Sequence, residues 1–352
     1  MKKALSVLLC FVMIFSTFAF SASAMSASEG LVALGTQFAD GKNTYEYCYY
    51  TPVKKTSDKT KYPLIIWLHG QFSGNTKRYQ LDNCDVALWS SEEYQKKIKG
   101  TGGAFIFLPR DPTLNTNLQL AWNGDLSGLK KSIDEFIKKY KANIDTSRIY
   151  LGGFSMGGKA VIRLAAAYPG YFAAIFPMSS VYDPSNSELR SLKNTPIWMF
   201  TCRSDVINSN VINSHSVSTS IWNYLESVST CKDINRWSYF VSPLVTPAGK
   251  YSAGFTYISS HNSWDAVAHD LILDSGKLYS NMITVDGNHK TVNLTTSATF
   301  LSWLSNQTLN GQIDEDKDED DKPTVDKPAT SLLEALDKVF KFIYKLIELL
   351  FG

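Results

Sequence analysis

The sequence predicts an α/β protein, with a mostly parallel central β-sheet covered by helices on both faces. Three observations carry this expectation. Two continuous apolar runs, "YPLIIWLHG" (62–70) and "GAFIFLPRD" (103–111), are each closed by turn residues. Such runs suit strands buried on both faces. The stretch "SGLKKSIDEFIKKYKAN" (127–143) puts Leu129, Ile133, Phe136, Ile137 and Tyr140 on one helical stripe. Finally, the strand-like "RIYLGG" is followed after three residues by the helical "GGKAVIRLAAAYP". Strands alternating with helices argue for parallel neighbours joined by crossovers.

The elements follow in chain order. "MKKALSVLLCFVMIFSTFAFSASA" has two lysines, an apolar stretch from Leu5 to Phe20, and small residues at Ala22 and Ala24. It predicts a secretory signal peptide over residues 1–24 with cleavage after Ala24, against the rival reading of a membrane anchor. The chain is then expected to be extracellular. "TYEYCYYTP" (44–52) alternates like an antiparallel strand, while "YFAAIFPMSS" (171–180) and "TPIWMFTCRSD" (195–205) read as further buried strands. "ATFLSWLSNQ" (298–307) is helical and closes a single domain spanning 25–310.

Residues 311–329 form an acidic, proline-broken linker that is too charged to pack. Residues 330–352 have one narrow polar stripe, with apolar residues covering the rest. That pattern predicts an amphipathic helix that docks on a membrane surface, another protein or the catalytic domain. Bulk composition excludes one class: with a formal net charge of +2 and no basic stripe, a nucleic-acid partner has no support. Beyond the leader, Cys48, Cys84, Cys202 and Cys231 allow three disulfide pairings or free thiols, and their spacing carries no zinc signature.

The chemistry is written in "GGFSMGG" (152–158). A chain with 21 glycines among 352 residues places four of them around one serine. Gly153-Phe154-Ser155-Met156-Gly157, between strand and helix, fits a turn so sharp that flanking side chains would collide with neighbouring elements. Such a turn exposes the serine hydroxyl at the sheet edge. It also sets Ser155 at a helix N-terminus, where the Met156 N–H and the helix dipole can meet a developing oxyanion.

A serine of this kind needs a histidine to take its proton and an acid to orient that histidine, in the chain order Ser, acid, His. Asp205, just past the strand in "TPIWMFTCRSD", is the expected acid, with Glu226 a poorer rival inside a helical run. His261, in "SSHNSWDAV" between a strand-like run and a helix, is the expected base. His289 is the nearest rival. His269 falls mid-helix and His215 is expected at the surface or in packing. His69 is expected to shape the turn whose next amide, on Gln71, completes the oxyanion hole. Trp122 and Asn123 in "AWNG" are candidates for a substrate wall, with a buried structural role the alternative for Trp122. Trp264 is a third candidate substrate contact.

Four segments together resemble the secreted esterase branch of the α/β-hydrolases, which includes feruloyl esterases, polyhydroxybutyrate depolymerase-like enzymes and predicted-peptidase relatives. They are "YPLIIWLHG", "SRIYLGGFSMGG" with "YFAAIFPMSS", "TPIWMF" with its following Asp, and "HNSWDAV". The resemblance covers about residues 44 to 307. It implies an α/β-hydrolase fold with Ser155 as nucleophile, Asp205 as orienting acid, His261 as base, and Met156 and Gln71 as oxyanion amides. It implies a small-molecule or polysaccharide-linked ester as substrate and no metal or cofactor. A peptidase using the same residues and a non-catalytic binding protein are the competing classes. Family members often have His and Gly shortly before the acid, where this chain has "TCRSD". The segment 271–293 also looks inserted, and could cap the site or lie elsewhere.

Overall fold

The computed structural model describes residues 33–38, 44–52, 59–71, 86–112, 121–207, 212–241, 260–261, 263–273 and 275–312. Cys84 and Asn262 lie outside these residues, as do the leader, most of the linker and the C-terminal helix, all three of them expectations from the sequence.

Among the described residues, nine strands form one sheet. They are β1 (Ala33–Phe38), β2 (Thr44–Tyr50), β3 (Tyr62–Leu68), β4 (Phe105–Pro109), β5 (Ile144–Phe154), β6 (Ala174–Met178), β7 (Trp198–Cys202), β8 (Arg236–Phe240) and β9 (Met282–Asp286). Their spatial order is β1-β2-β4-β3-β5-β6-β7-β8-β9. Strands β4, β3, β5, β6, β7 and β8 pair in parallel, while β2 and β9 run against their neighbours. The predicted fold class is the observed one: an α/β-hydrolase sheet, mostly parallel, with helices on both faces.

Each face has its own core. Successive side chains of a strand point to opposite faces. Thus Leu64, Ile66 and Leu68 of β3 enter one cluster, and Ile65 and Trp67 enter the other. The first face is covered by α1 (Ser127–Lys139), α2 (Met156–Ala167), α3 (Asn186–Ser191) and α4 (Ser214–Val228). The predicted stripe of α1 is buried at Leu129, Ile133 and Phe136. The second face is covered by residues 86–98, α5 (Trp264–Ala268) and α6 (Phe300–Ser305). Asp270 fixes the start of α6 by accepting from the Leu301 N–H and the Thr299 hydroxyl, each at 2.6 Å. Lys97 approaches the same carboxylate at 3.3 Å.

The segment 271–293 does not cap the catalytic edge. It supplies β9, which extends the sheet beyond β8 with Phe240 opposite Met282 and Arg236 opposite Asp286. Further contacts fasten it there: the Gly287 N–H donates to the Lys232 carbonyl at 2.9 Å, and the Asn288 amide donates to Asp233 at 2.9 Å. Cys202 and Cys231 are free thiols.

Candidate active site

Parallel strands deliver their C-terminal ends to one edge, and ligand sites of open α/β sheets lie outside that edge. Here His69 follows β3, Asp111 follows β4, Ser155 follows β5, Ser179 follows β6 and Asp205 follows β7, each within three residues of the strand's end.

Ser155 joins β5 to α2 with φ 56° and ψ −113°, a left-handed backbone that costs a non-glycine residue about 1–3 kcal/mol. Two glycines make this turn possible. A Cβ on Gly157 would sit 2.0 Å from the Leu68 carbonyl oxygen, and one on Gly153 would sit 2.7 Å from the Gly157 backbone. Both distances are impossible, so β3, the turn and α2 approach closely only because these side chains are missing. Gly152 answers a different neighbour, since its Cβ would overlap the Phe176 ring. The Ser155 N–H donates to the Met178 carbonyl at 2.8 Å, which ties the turn to β6. The hydroxyl makes no helix-capping bond and is left to face the histidine.

His261 Nε2 lies 2.9 Å from Ser155 Oγ. On the other side of the ring, Nδ1 lies 3.0 Å from both carboxylate oxygens of Asp205. A nitrogen facing a carboxylate carries the proton, which leaves Nε2 free to accept from the serine hydroxyl. Asp205 is fully buried and also accepts from the Ser214 hydroxyl. Its turn forms without the family's glycine: the Asp205 N–H closes back onto the Cys202 carbonyl at 3.1 Å. The imidazole face rests on Phe154, with ring centres 4.8 Å apart, and Phe154 rests in turn on Trp264. Ser263 anchors the loop by its hydroxyl contact with Ser179 at 2.8 Å and its bond to the Phe200 carbonyl at 3.3 Å.

The rival residues lie elsewhere. His289 Nε2 pairs with Glu226 at 2.8 Å, so the alternative base and the alternative acid hold each other. His269 faces Asp265 at 3.8 Å. His215 is half-buried, against Trp237 and Tyr239, with Nδ1 3.2 Å from the Thr201 hydroxyl. Burial pushes its pKa down, and the nearby Arg203 adds to that.

His69 is fully buried beneath the turn that leads to Gln71. Its Nδ1–H donates to the Gly70 carbonyl at 2.7 Å, and its Nε2 accepts from the Asp111 N–H at 3.1 Å. Desolvation pushes its pKa down to about 4, against weaker opposing pulls from the Gly70 bond and Asp111, so the ring is neutral near pH 7.

The candidate substrate contacts divide. Trp122 is 2% exposed and donates its indole N–H to the His69 carbonyl at 2.8 Å, while its backbone N–H donates to Asp111. It is a strut beneath the turn and offers no wall to substrate. Trp264 is likewise buried, as the support of Phe154. Asn123 is exposed and accepts from the Lys159 ammonium at 2.7 Å. Gln71 is exposed, and its side-chain oxygen accepts from the Ala121 N–H at 2.7 Å. Met156 opens α2, where the first-turn amides have no helical acceptor.

Sequence reasoning missed Ser214, Ser179 and Ser263, because serines in polar loops carry no spacing signal. Among the described residues, no cluster of His, Cys, Asp and Glu is arranged to hold a metal ion.

Comparison with known proteins agrees with this architecture. A family model described as phospholipase/carboxylesterase matches residues 122–235, a stretch that contains Ser155 and Asp205 and stops before His261. A bifunctional acetylxylan esterase/xylanase of Neocallimastix patriciarum is 27% identical over 164 residues, covering 46% of this chain and 21% of that protein. Feruloyl esterase B of Neurospora crassa is 28% identical over 197 residues, covering 49% of this chain and 62% of that protein. The chain therefore spans less than two thirds of either curated relative. Among solved structures, a thermostable esterase superposes with a TM-score of 0.50 at 24% identity, over 67% of this chain and 60% of that one, a likeness of fold.

Proposed function

We propose that this chain, which belongs to the esterase group of the α/β-hydrolases, is an exported serine hydrolase of carboxylic esters. The observation that carries the reading is the hydrogen bond between Ser155 Oγ and His261 Nε2 at 2.9 Å, continued from Nδ1 to the buried Asp205 at 3.0 Å. In this mechanism Ser155 Oγ attacks the ester carbonyl carbon as its proton passes to His261 Nε2. Asp205 stabilises the resulting imidazolium and holds its orientation. The negative charge on the carbonyl oxygen is met by the backbone N–H groups of Met156 and Gln71. Collapse of the tetrahedral intermediate breaks the bond to the alcohol oxygen, which takes the proton from His261. Water then attacks the acyl-serine, giving its proton to the same nitrogen, and Ser155 regains a proton as the acid departs.

For substrate, the two curated relatives favour acetyl or feruloyl groups esterified to plant polysaccharides. The leader-like residues 1–24 support action outside the cell, where such polymers occur.

A fluorophosphonate probe followed by peptide mapping tests the nucleophile. Ser155 is expected to carry the label, and Ser155→Ala to lose several orders of magnitude in turnover on an aryl acetate. A label on another serine, or turnover retained in the variant, removes the assignment. Acetylated xylan and methyl ferulate then divide the two candidate substrate classes.

A further inference from the structure

Lys159 lies one helical turn beyond Ser155, with its N–H donating to the Ser155 carbonyl at 3.0 Å. Side chains on a helix lean toward its N-terminus, so the Lys159 stem runs back over the turn that carries Ser155. Its ammonium donates to Asn123 Oδ1 at 2.7 Å and stands 5.6 Å from the centre of the Tyr182 ring. Asn123 belongs to the loop that packs on the His69 turn, and Tyr182 to the stretch following β6. The ammonium therefore bridges two loops that flank Ser155. It does so on the face covered by α2, whereas Phe154 and Trp264, which support His261, pack on the opposite face.

This placement is held firmly. Arg163 donates to the Trp122 carbonyl at 2.8 Å and to the Gly124 carbonyl at 3.0 Å, one on each side of Asn123. An ammonium has three donors, and Asn123 takes one of them. Among the described residues, no Asp or Glu forms an ion pair with Lys159. Its neighbour on the helix, Arg163, is itself a cation and adds to the positive charge there. Burial lowers the Lys159 pKa, and Arg163 lowers it further. With one donor held by Asn123, two remain for an anion that approaches from outside the chain.

We propose that Lys159, oriented by Asn123, is a specificity-determining residue that receives a carboxylate carried by the ester substrate. The proposal rests on the reading of Ser155 as the nucleophile. The carboxylate can belong to the acyl part or to the alcohol part, and matched ester pairs distinguish the two. For the acyl part, the nitrophenyl hemiester of succinic acid is compared with its succinamide counterpart. For the alcohol part, acetyl-4-hydroxybenzoate is compared with acetyl-4-hydroxybenzamide.

At low ionic strength, kcat/KM is expected to favour the anionic member of one pair, chiefly through KM. Added salt should narrow that ratio in the wild-type enzyme, because the attraction is between charges near solvent. In Lys159→Met, which keeps the stem and removes the charge, the ratio should fall by about tenfold. Lys159→Arg should keep most of it. The neutral ester serves as an internal standard, so a general loss of folded enzyme leaves the ratio unmoved. A ratio insensitive to salt and to Lys159→Met, with both esters turned over, overturns the role of Lys159 alone. Failure of the wild-type enzyme to cleave any of the four esters overturns the serine-esterase reading, and this proposal with it.

Discussion

Ser214 donates its hydroxyl to the Asp205 carboxylate from the first turn of α4, so the buried acid is gripped by that hydroxyl and by His261 Nδ1 together. A carboxylate with 0% exposure depends on such partners, because burying a charge without them is costly. Ser214 is therefore a positioning residue whose effect reaches Ser155 through two intermediates.

Removing that hydroxyl is expected to weaken turnover without touching substrate. Ser214→Ala should lower kcat by about tenfold, the scale of one hydrogen bond to a charged group, and leave KM near its original value. Ser214→Thr, which keeps the hydroxyl, should recover most of the loss. Steady-state kinetics on a small soluble ester measure both. A change confined to KM, or no rescue by threonine, would show that the contact has no part in holding the acid.

The histidines offer a second comparison. His261→Ala should be nearly as damaging as Ser155→Ala, because groups that act as a unit are lost as a unit. His289→Ala removes only an exposed pair with Glu226, and exposed pairs are worth about 0–1 kcal/mol. Its turnover should stay within a few-fold of wild type. If His289→Ala is instead the inactive variant, the assignment of the base is wrong.

His69 predicts a pH dependence of stability. Its folded pKa, about 4, lies below the ordinary 6.5, so between those values the unfolded chain binds the proton more readily. Stability rises with pH wherever the unfolded state binds more protons. The contribution is thus complete above about pH 6.5 and is lost as pH falls toward 4, a change on the order of 3 kcal/mol. Thermal melts across this window should show the decline. His69→Gln retains an acceptor for the Asp111 N–H and does not titrate, so its decline should be shallower. Parallel curves for the two proteins would rule out His69 as the source.

Much of this architecture was legible in the sequence because it rests on strong local patterns. The runs at 62–70 and 103–111 read as buried strands because both faces of β3 and β4 are covered, which leaves no polar position inside them. The serine turn was legible because its glycines answer contacts that tolerate no Cβ. Strands β1, β8 and β9 were not read. "ALGTQF", "RWSYF" and "MITVD" are short and mix polar with apolar residues, and their pairing is decided by neighbours distant in sequence. The same limit applied to Trp122. Its place in a loop left a substrate wall and a buried structural role both open, and a bond to the His69 carbonyl, 53 positions away, decides for the core. Asp205 was recoverable from chain order together with its place just past a strand, whereas its partner Ser214 lies in a serine-rich stretch with nothing to single it out.

The strand contributed by 271–293 also limits how this protein can be shortened. Although the segment looks like a detachable loop, the outer peptide groups of Arg236–Phe240 find their partners in it. Cutting it out would bare a row of unsatisfied amides and carbonyls beside Trp237 and Phe240, a template on which a second molecule could add its own strand. The segment thus closes an open border of the sheet, and a trimmed version would first need a substitute for it.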